Sequence, residues 1–362
     1  MVQSFDSNSQ ALPSSKWPRG HWYPLMTSAE IKAQRLYSFT RLDLKLVAWR
    51  NLHGEVCVLE NRCPHRSAEL SLGRWSEGNI ECGYHGMQFD GSGTCQQIPL
   101  NGWQGPRCAT LKAQSFVVQE IFGVIWLWWG EAAEQKKLPW FESLKDENSE
   151  RNRVRDYVEI QRSSDCNFFR FMEANLDFGH FHFVHSFFKK TDELGSLAKN
   201  FSAKTTDLLI QLKGELGREG SPRFSKVWAD VLFPNLAAYE TPHADPEKRL
   251  PLVVLASPVD AKTTWFVVRI YLTRSWLNPI IKIYLKYFFF GVIFKLLHRQ
   301  DLRLLRTQSA TNHGLPRQEH LVCEADVGVA HYHRLLRRSL ASASEKAPAT
   351  TARLVAKEHD WV

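Results

Sequence analysis

The sequence predicts an α+β protein in two parts, an all-β N-terminal part followed by a mixed α+β part. Three observations carry this reading. The first third holds β-rich runs around glycine-bearing turns, the stretch 131–156 is charged and strand-poor, and the later strand-like runs give way to a helical C-terminal third. At 362 residues the chain is long for one domain and sufficient for two sizeable cores.

Taken in order, residues 1–19 are polar, without an apolar segment of the secretory type, and read as a disordered tail. "LKLVAWRNLHGEVCVLEN" (44–61) is a hairpin signal, repeated with Asp-Gly in "MQFDGSGTCQQIP" (87–99). "FVVQEIFGVIWLWWG" (116–130) supplies two more runs rich in Val, Ile and Trp. The first part is therefore placed at 20–133 and the second at 134–362, with the charged stretch as the seam. Beyond it come a helical motif region at 165–190 and the strand-like runs "TDLLIQL", "LPLVVLAS" and "TTWFVVRIYL". The formal charge of +8 favours acidic partners or anionic surfaces, and nothing in the chain reads as a nucleic-acid motif. Seven cysteines, an odd number, suit a reducing compartment, so the expected location is cytoplasmic. Cys57, Cys95, Cys108, Cys166 and Cys323 read as ordinary thiols.

The first chemical constellation is Cys63-x-His65 and Cys82-x-x-His85, with sixteen residues between the two arms. Zinc accepts two thiolates and two imidazoles. A zinc finger, however, pairs Cys with Cys and His with His, whereas each arm here offers one sulfur and one nitrogen. Mixed arms let both sulfurs face one iron and both nitrogens another, the Rieske form of a [2Fe-2S] cluster. The surroundings, Arg66, Gly86, Phe89-Asp90 and Gly93, agree with that motif, and Met87 departs from the tryptophan usual after His-Gly.

The second constellation is "FMEANLDFGHFHFVHSFF", with His180 and His185 five apart and Asp177 three before the first. On a regular helix of about 3.6 residues per turn these histidines diverge by about 140°, so they need a π-type turn or a break to meet. His182 is a rival, three before His185, and packing of an aromatic helix is the plain alternative.

Together these motifs resemble the Rieske non-haem iron oxygenases. The likeness runs from "HWYPL" through both constellations and "GVIWLWWG" to "SPVDAKTTWF". It is nearest to the monocomponent-type oxygenase subunits that include the demethylases and the chloroplast and cyanobacterial branch. The resemblance implies a Rieske domain followed by a helix-grip (START-like) catalytic domain. It implies His180 and His185 as ligands of a mononuclear Fe(II), with a downstream carboxylate completing the triad. Asp301 in "LLHRQDLRLLRTQ" fits and is the sole acid between Asp260 and Glu319, although it could instead pair with Arg299 or Arg303. Glu173 and Asp177 are nearer but have other expected roles. The family's electron bridge carries over as His85, Asp177 and His180 across a subunit boundary of a homotrimer, with Asn175 lining the iron site.

No Gly-x-Gly-x-x-Gly loop and no plant-type ferredoxin cysteine run occurs, so electrons are expected from a ferredoxin, a flavin reductase or both. The implied activity is hydroxylation, dihydroxylation or oxidative demethylation with O2, on a bulky apolar substrate. The alternative is an electron-transfer or redox-sensing protein without a working mononuclear site. Residues 277–297, "LNPIIKIYLKYFFFGVIFKLL", are apolar enough to raise the question of a membrane, but Lys282, Lys286 and Lys295 interrupt the run. The favoured reading is a buried helix delivering Asp301, and the second is a surface-seeking element with weak peripheral membrane contact.

Overall fold

The computed structural model describes residues 16–102, 111–141, 144, 156–185, 196–218, 224–240, 250–272, 278–308 and 323–345. The N-terminal strands make three small antiparallel sheets. One holds β2 (Tyr37–Arg41), β3 (Leu44–Arg50) and β4 (Val56–Glu60), and a second holds β5 (Arg74–Ser76), β6 (Asn79–Glu81), β7 (Gln88–Phe89) and β8 (Cys95–Gln97). In the third, β10 (Val124–Trp129) lies between β1 (His21–Thr27) and β9 (Val118–Ile121). The expected hairpins are present, β3 with β4, β7 with β8 and β9 with β10. Phe122 and Gly123 close the last with φ of 56° and 70°, the positive pair that a tight two-residue hairpin turn requires.

A seven-stranded antiparallel sheet follows, in the order β11 (Tyr157–Ser164), β17 (Thr264–Tyr271), β16 (Pro251–Pro258), β15 (Leu236–Glu240), β14 (Phe224–Leu232), β13 (Leu209–Arg218) and β12 (Ser196–Thr206). Among the described residues five α-helical segments accompany it: α1 (Phe168–Ala174), α2 (Phe181–Val184), α3 (Asn278–Ile283), α4 (Phe294–Leu305) and α5 (Val327–Glu345). A π-helical segment, Tyr284–Ile293, joins α3 to α4. The long α5 crosses β12 and β13, buries Tyr332, Leu335 and Leu336, and donates the Tyr332 hydroxyl to the Pro234 carbonyl at 2.9 Å. This sheet gripping a C-terminal helix is the α+β arrangement expected.

Strand β10 reads as an unbroken apolar run because both of its faces are covered. Ile125, Leu127 and Trp129 join a core with Phe168, Val254 and Phe266, while Val124, Trp126 and Trp128 join another with Val253, Leu255 and Val267. The N-terminal strands and the large sheet thus share their cores. Arg269, fully buried, adds a polar tie: it pairs with Glu159 at 2.7 Å and donates to the carbonyls of Phe122 and Gly123 in the β9–β10 turn.

Three expectations need correction. The tail predicted over 1–19 is ordered from Lys16: Trp17 is buried against Phe168 and Phe169 and donates to Asp43 at 2.8 Å, while 1–15 lie outside the described residues. The charged stretch 131–156 is no bare linker, because Leu138, Trp140, Phe141 and Leu144 are buried in the second shared core. Composition hid them, since four apolar side chains among many charges still withdraw substantial area from water. The helix carrying Asp301 is buried along one side only. Leu285 and Phe290 face the core, but Ile283, Tyr287 and Phe288 lie open.

Candidate metal centres

The two Cys/His arms are built alike. Cys63 accepts at its carbonyl from Ser67 N–H and donates its own N–H to Ala68, each at 2.8 Å. Cys82 repeats this with Gly86 at 3.0 Å and Met87 at 2.8 Å. Each arm therefore closes as a single turn ending in a positive φ, 57° at Ser67 and 70° at Gly86. At Gly73 any Cβ would collide with the Glu81 carbonyl, so a glycine is what lets the first arm's chain lie against β6.

Both sulfurs are buried, Cys63 at 2% and Cys82 at 1% exposure, above Leu70, Ile80, Phe89 and Met87. Met87 fills the apolar floor in place of the larger ring common in the family. The imidazoles of His65 and His85 lie nearer the surface with ring centres 4.8 Å apart, and Tyr84 covers His85 at 3.9 Å. Burial first, and the neighbouring Cys82 sulfur with it, pushes the Cys63 thiol up to about 11. A buried thiol pair of this kind ionises only against a compensating cation, so the donor set fits an iron-sulfur cluster with sulfurs inward and imidazoles outward.

The second centre starts from a capped helix. Asn167 accepts from the backbone of Phe169 and Arg170 and so begins α1. Asp177 accepts from Gly179 N–H at 2.8 Å, which turns the chain into the single helical turn of α2. That turn ends at Val184, and His185 is extended (φ −90°, ψ 103°) while His180 is still helical. The break required by the five-residue spacing is therefore present. Of His182 only the backbone is described.

Asp301, on α4, completes the group. Its Oδ1 lies 3.6 Å from His180 Nε2 and 3.4 Å from His185 Nε2, and the three potential donor atoms lie within 4.8 Å of one another. Each imidazole is held from behind. Asp177 Oδ2 is 3.5 Å from His180 Nδ1, and Gln300 Oε1 is 3.2 Å from His185 Nδ1. A proton on each Nδ1 leaves both Nε2 lone pairs aimed at Asp301, the outer support that metal-binding histidines use. Gln300 carried no signal in the sequence beyond its place next to Asp301.

The electrostatics suit a dication. Burial pushes Asp301 up to about 6, partly opposed by His180. Burial would lower His180, but the hydrogen bond and charge of Asp177 leave it raised overall. His185 is lowered, chiefly by burial. A metal ion binds the ionised carboxylate and uncharged imidazoles, so His185 already favours the binding form, while an ion bound at Asp301 and His180 would displace the proton that each is disposed to hold. Two histidines and one carboxylate on one side leave other coordination positions open, the pattern of O2-using Fe(II) sites.

A cavity of about 190 Å³ adjoins the triad, lined by Ala174, Val184, Leu304 and Val329 as well as polar groups. Among the latter, Glu173 bonds Arg170 Nη1 at 2.7 Å and His333 Nε2 at 2.8 Å, all three nearly buried. This explains Glu173 without metal ligation. Asn175 ends α1, its amide donates to the Phe171 carbonyl, its own carbonyl accepts from the Tyr239 hydroxyl, and it is not among the residues that line the cavity. Among the described contacts, His85 meets His65 and Tyr84, Asp177 meets His180 and Gly179, and none of these joins the two centres.

Comparison with known proteins agrees with this geometry. Residues 21–110 match the Rieske [2Fe-2S] domain. The 3-chlorobenzoate-3,4-dioxygenase oxygenase subunit of Comamonas testosteroni is 31% identical over 228 residues, 60% of this chain and 51% of that protein. The dicamba O-demethylase oxygenase component of Stenotrophomonas maltophilia is 33% identical over 183 residues, 50% of this chain and 51% of that protein. The chain spans about half the length of these curated relatives. Two solved structures share the fold. Dicamba monooxygenase bound to 3,6-dichlorosalicylic acid has TM-score 0.70 at 21% identity, covering 90% of this chain and 98% of the other. Pseudomonas putida NdmA has TM-score 0.70 at 22% identity, covering 90% and 92%. The chain therefore carries, over residues 21–110, a match to the Rieske [2Fe-2S] domain. The two curated relatives, whose matches run past the length of the Rieske domain, are a dioxygenase oxygenase subunit and a demethylase oxygenase component.

Proposed function

We propose that this chain is the oxygenase component of a Rieske non-haem iron system, using O2 and externally supplied electrons to hydroxylate or oxidatively demethylate a bulky apolar substrate. The supporting observation is the presence on one chain of the mixed Cys/His arms and the triad His180, His185 and Asp301. When bound, a [2Fe-2S] cluster supplies single electrons and a mononuclear iron(II) supplies the O2 chemistry. Cys63, His65, Cys82 and His85 hold the first. His180, His185 and Asp301 hold the second, with Asp177 and Gln300 fixing the imidazole protons on Nδ1.

The Asp177 side chain keeps 42% of its surface open in the single chain. That exposure supports a homotrimer in which the partner subunit's His85 reaches Asp177, linking the two centres. A small acidic ferredoxin, alone or with a flavin reductase, suits the net charge of +8 as electron donor. The odd cysteine count supports a reducing compartment such as the cytoplasm. The cavity is smaller than ordinary ligand sites of about 300–1,000 Å³, so a bulky substrate presents one end to the triad and meets both apolar walls and the Glu173 cluster.

The test supplies the protein with a ferredoxin, its reductase, isotopically labelled O2 and an apolar extract, and follows products by mass spectrometry. Substrate-dependent O2 uptake with a hydroxylated or demethylated product is expected. A reducible cluster with no substrate-dependent O2 uptake would instead establish the electron-transfer alternative.

A further inference from the structure

The rod made by α3, the π-helical segment and α4 is apolar on both sides. Leu285 and Phe290 enter the core, whereas Ile283, Tyr284, Tyr287, Phe288, Val292 and Leu296 each keep 48% to 66% of their surface open. Their spacing holds them to one flank of the rod. The i→i+5 bonding, seen where Phe294 N–H reaches the Phe289 carbonyl, continues that flank into α4 without a break. Among the described residues, eight of the thirteen exposed large apolar side chains lie on this rod, and a contiguous patch of this kind marks a binding surface.

The charge carried by the rod itself is almost wholly positive. Residues 278–308 hold Lys282, Lys286, Lys295, Arg299, Arg303 and Arg306, and their sole acid, Asp301, is turned inward to the histidines. Asp156 and Asp165 hold Lys282 and Arg306, and the other four cations lie exposed along the rod. Tyr284 stacks on Phe288 at 5.3 Å, and Lys286 sits 5.5 Å over the Tyr287 ring. Tyrosine rings and long lysine stems, each with an apolar body and a polar end, suit the depth of lipid headgroups. Among the described residues no helix is long and apolar enough to cross a membrane, so a rod of this composition lies along a surface.

We propose that this flank docks the protein onto an anionic lipid surface, with the rod in the headgroup plane. Charge selects the occupant, since a second copy meeting this flank with its own would bring the same positive charge, while an anionic bilayer offers both the opposite charge and an apolar layer beneath it. The same rod delivers Asp301 and Leu304 to the cavity, so docking places the cavity beside the lipid.

The full chain is floated with phosphatidylcholine vesicles, with and without phosphatidylglycerol. Flotation is expected only with the anionic lipid and weakens as salt shortens the range of the charges. Lys286→Gln with Lys295→Gln should lower partitioning roughly 30-fold, and Tyr287→Ser with Phe288→Ser should lower it at every salt concentration. All four positions are exposed, so circular dichroism should match the parent. The proposal is overturned by absence of flotation, by equal binding to neutral vesicles, or by variants that float like the parent. Dissociation of a larger assembly by Tyr287→Ser with Phe288→Ser would assign the flank to contacts between copies instead. None of these readouts uses metal content or turnover, so this proposal and the oxygenase reading fail separately.

Discussion

Replacing Gln300 by Leu tests whether the second centre is held as the geometry says. The side chain of Gln300 accepts from, or aligns, His185 Nδ1 at 3.2 Å, and leucine of similar length offers no acceptor. One neutral hydrogen bond contributes about 1 kcal/mol, roughly a fivefold effect. Losing it also frees the imidazole to turn and to carry its proton on Nε2, where the metal must bind. Changes to such outer supports cost about 10- to 100-fold in metal affinity, or roughly 1.4–2.7 kcal/mol. Anaerobic titration of iron(II) against a competing chelator measures this directly. Affinity should fall within that range while the visible absorption of the cluster stays unchanged, and Gln300→Glu, which restores a stronger acceptor, should keep or raise affinity. Unchanged iron affinity in Gln300→Leu, or parallel loss of the cluster, would refute the reasoning.

Asp177→Asn keeps an acceptor for His180 Nδ1 but removes the charge proposed to link the centres; both metals should remain while turnover falls by more than the roughly 100-fold expected of ligand orientation alone. Activity near that of the parent would remove Asp177 from the electron path. Glu173→Gln leaves Arg170 as a buried charge and should cost about 3–5 kcal/mol in urea unfolding, with the cluster spectrum intact. His21 is pushed down to about 4, first by burial and then by the Lys136 charge. The unfolded chain therefore binds the proton first as pH falls. The fold keeps its full stability above about pH 6.5 and loses up to about 3 kcal/mol through this group by about pH 4, a loss that His21→Phe should largely abolish.

The metal centres were legible in the sequence to very different depths. The Cys63 and Cys82 arms are short loops whose ligands lie within three residues of each other, so local spacing alone displayed them. His180 and His185 were visible as a pair, but their convergence depends on α2 ending at Val184, which no periodicity announced. Asp301 was found because acids are absent around it. Gln300 and the Arg170–Glu173–His333 cluster were not found, since their meaning arises only when residues more than a hundred positions apart are packed together. The run 277–297 is apolar in the sequence, but its described part is buried along one side only. Hydrophobicity along a chain does not say which flank the rest of the fold covers. In the same way, the charged seam concealed Leu138 and Trp140, whose burial is decided by the two sheets that meet over them.

The central claim is that one chain holds two different iron centres, with Asp301 belonging to the second alone. Iron and acid-labile sulfide counted in anaerobically purified parent and Asp301→Ala protein test it most directly. The account predicts about three irons and two sulfides per parent chain, and about two of each in the variant with its cluster absorption preserved. Zinc in the Cys/His arms, or an Asp301→Ala protein that retains the third iron, would contradict it.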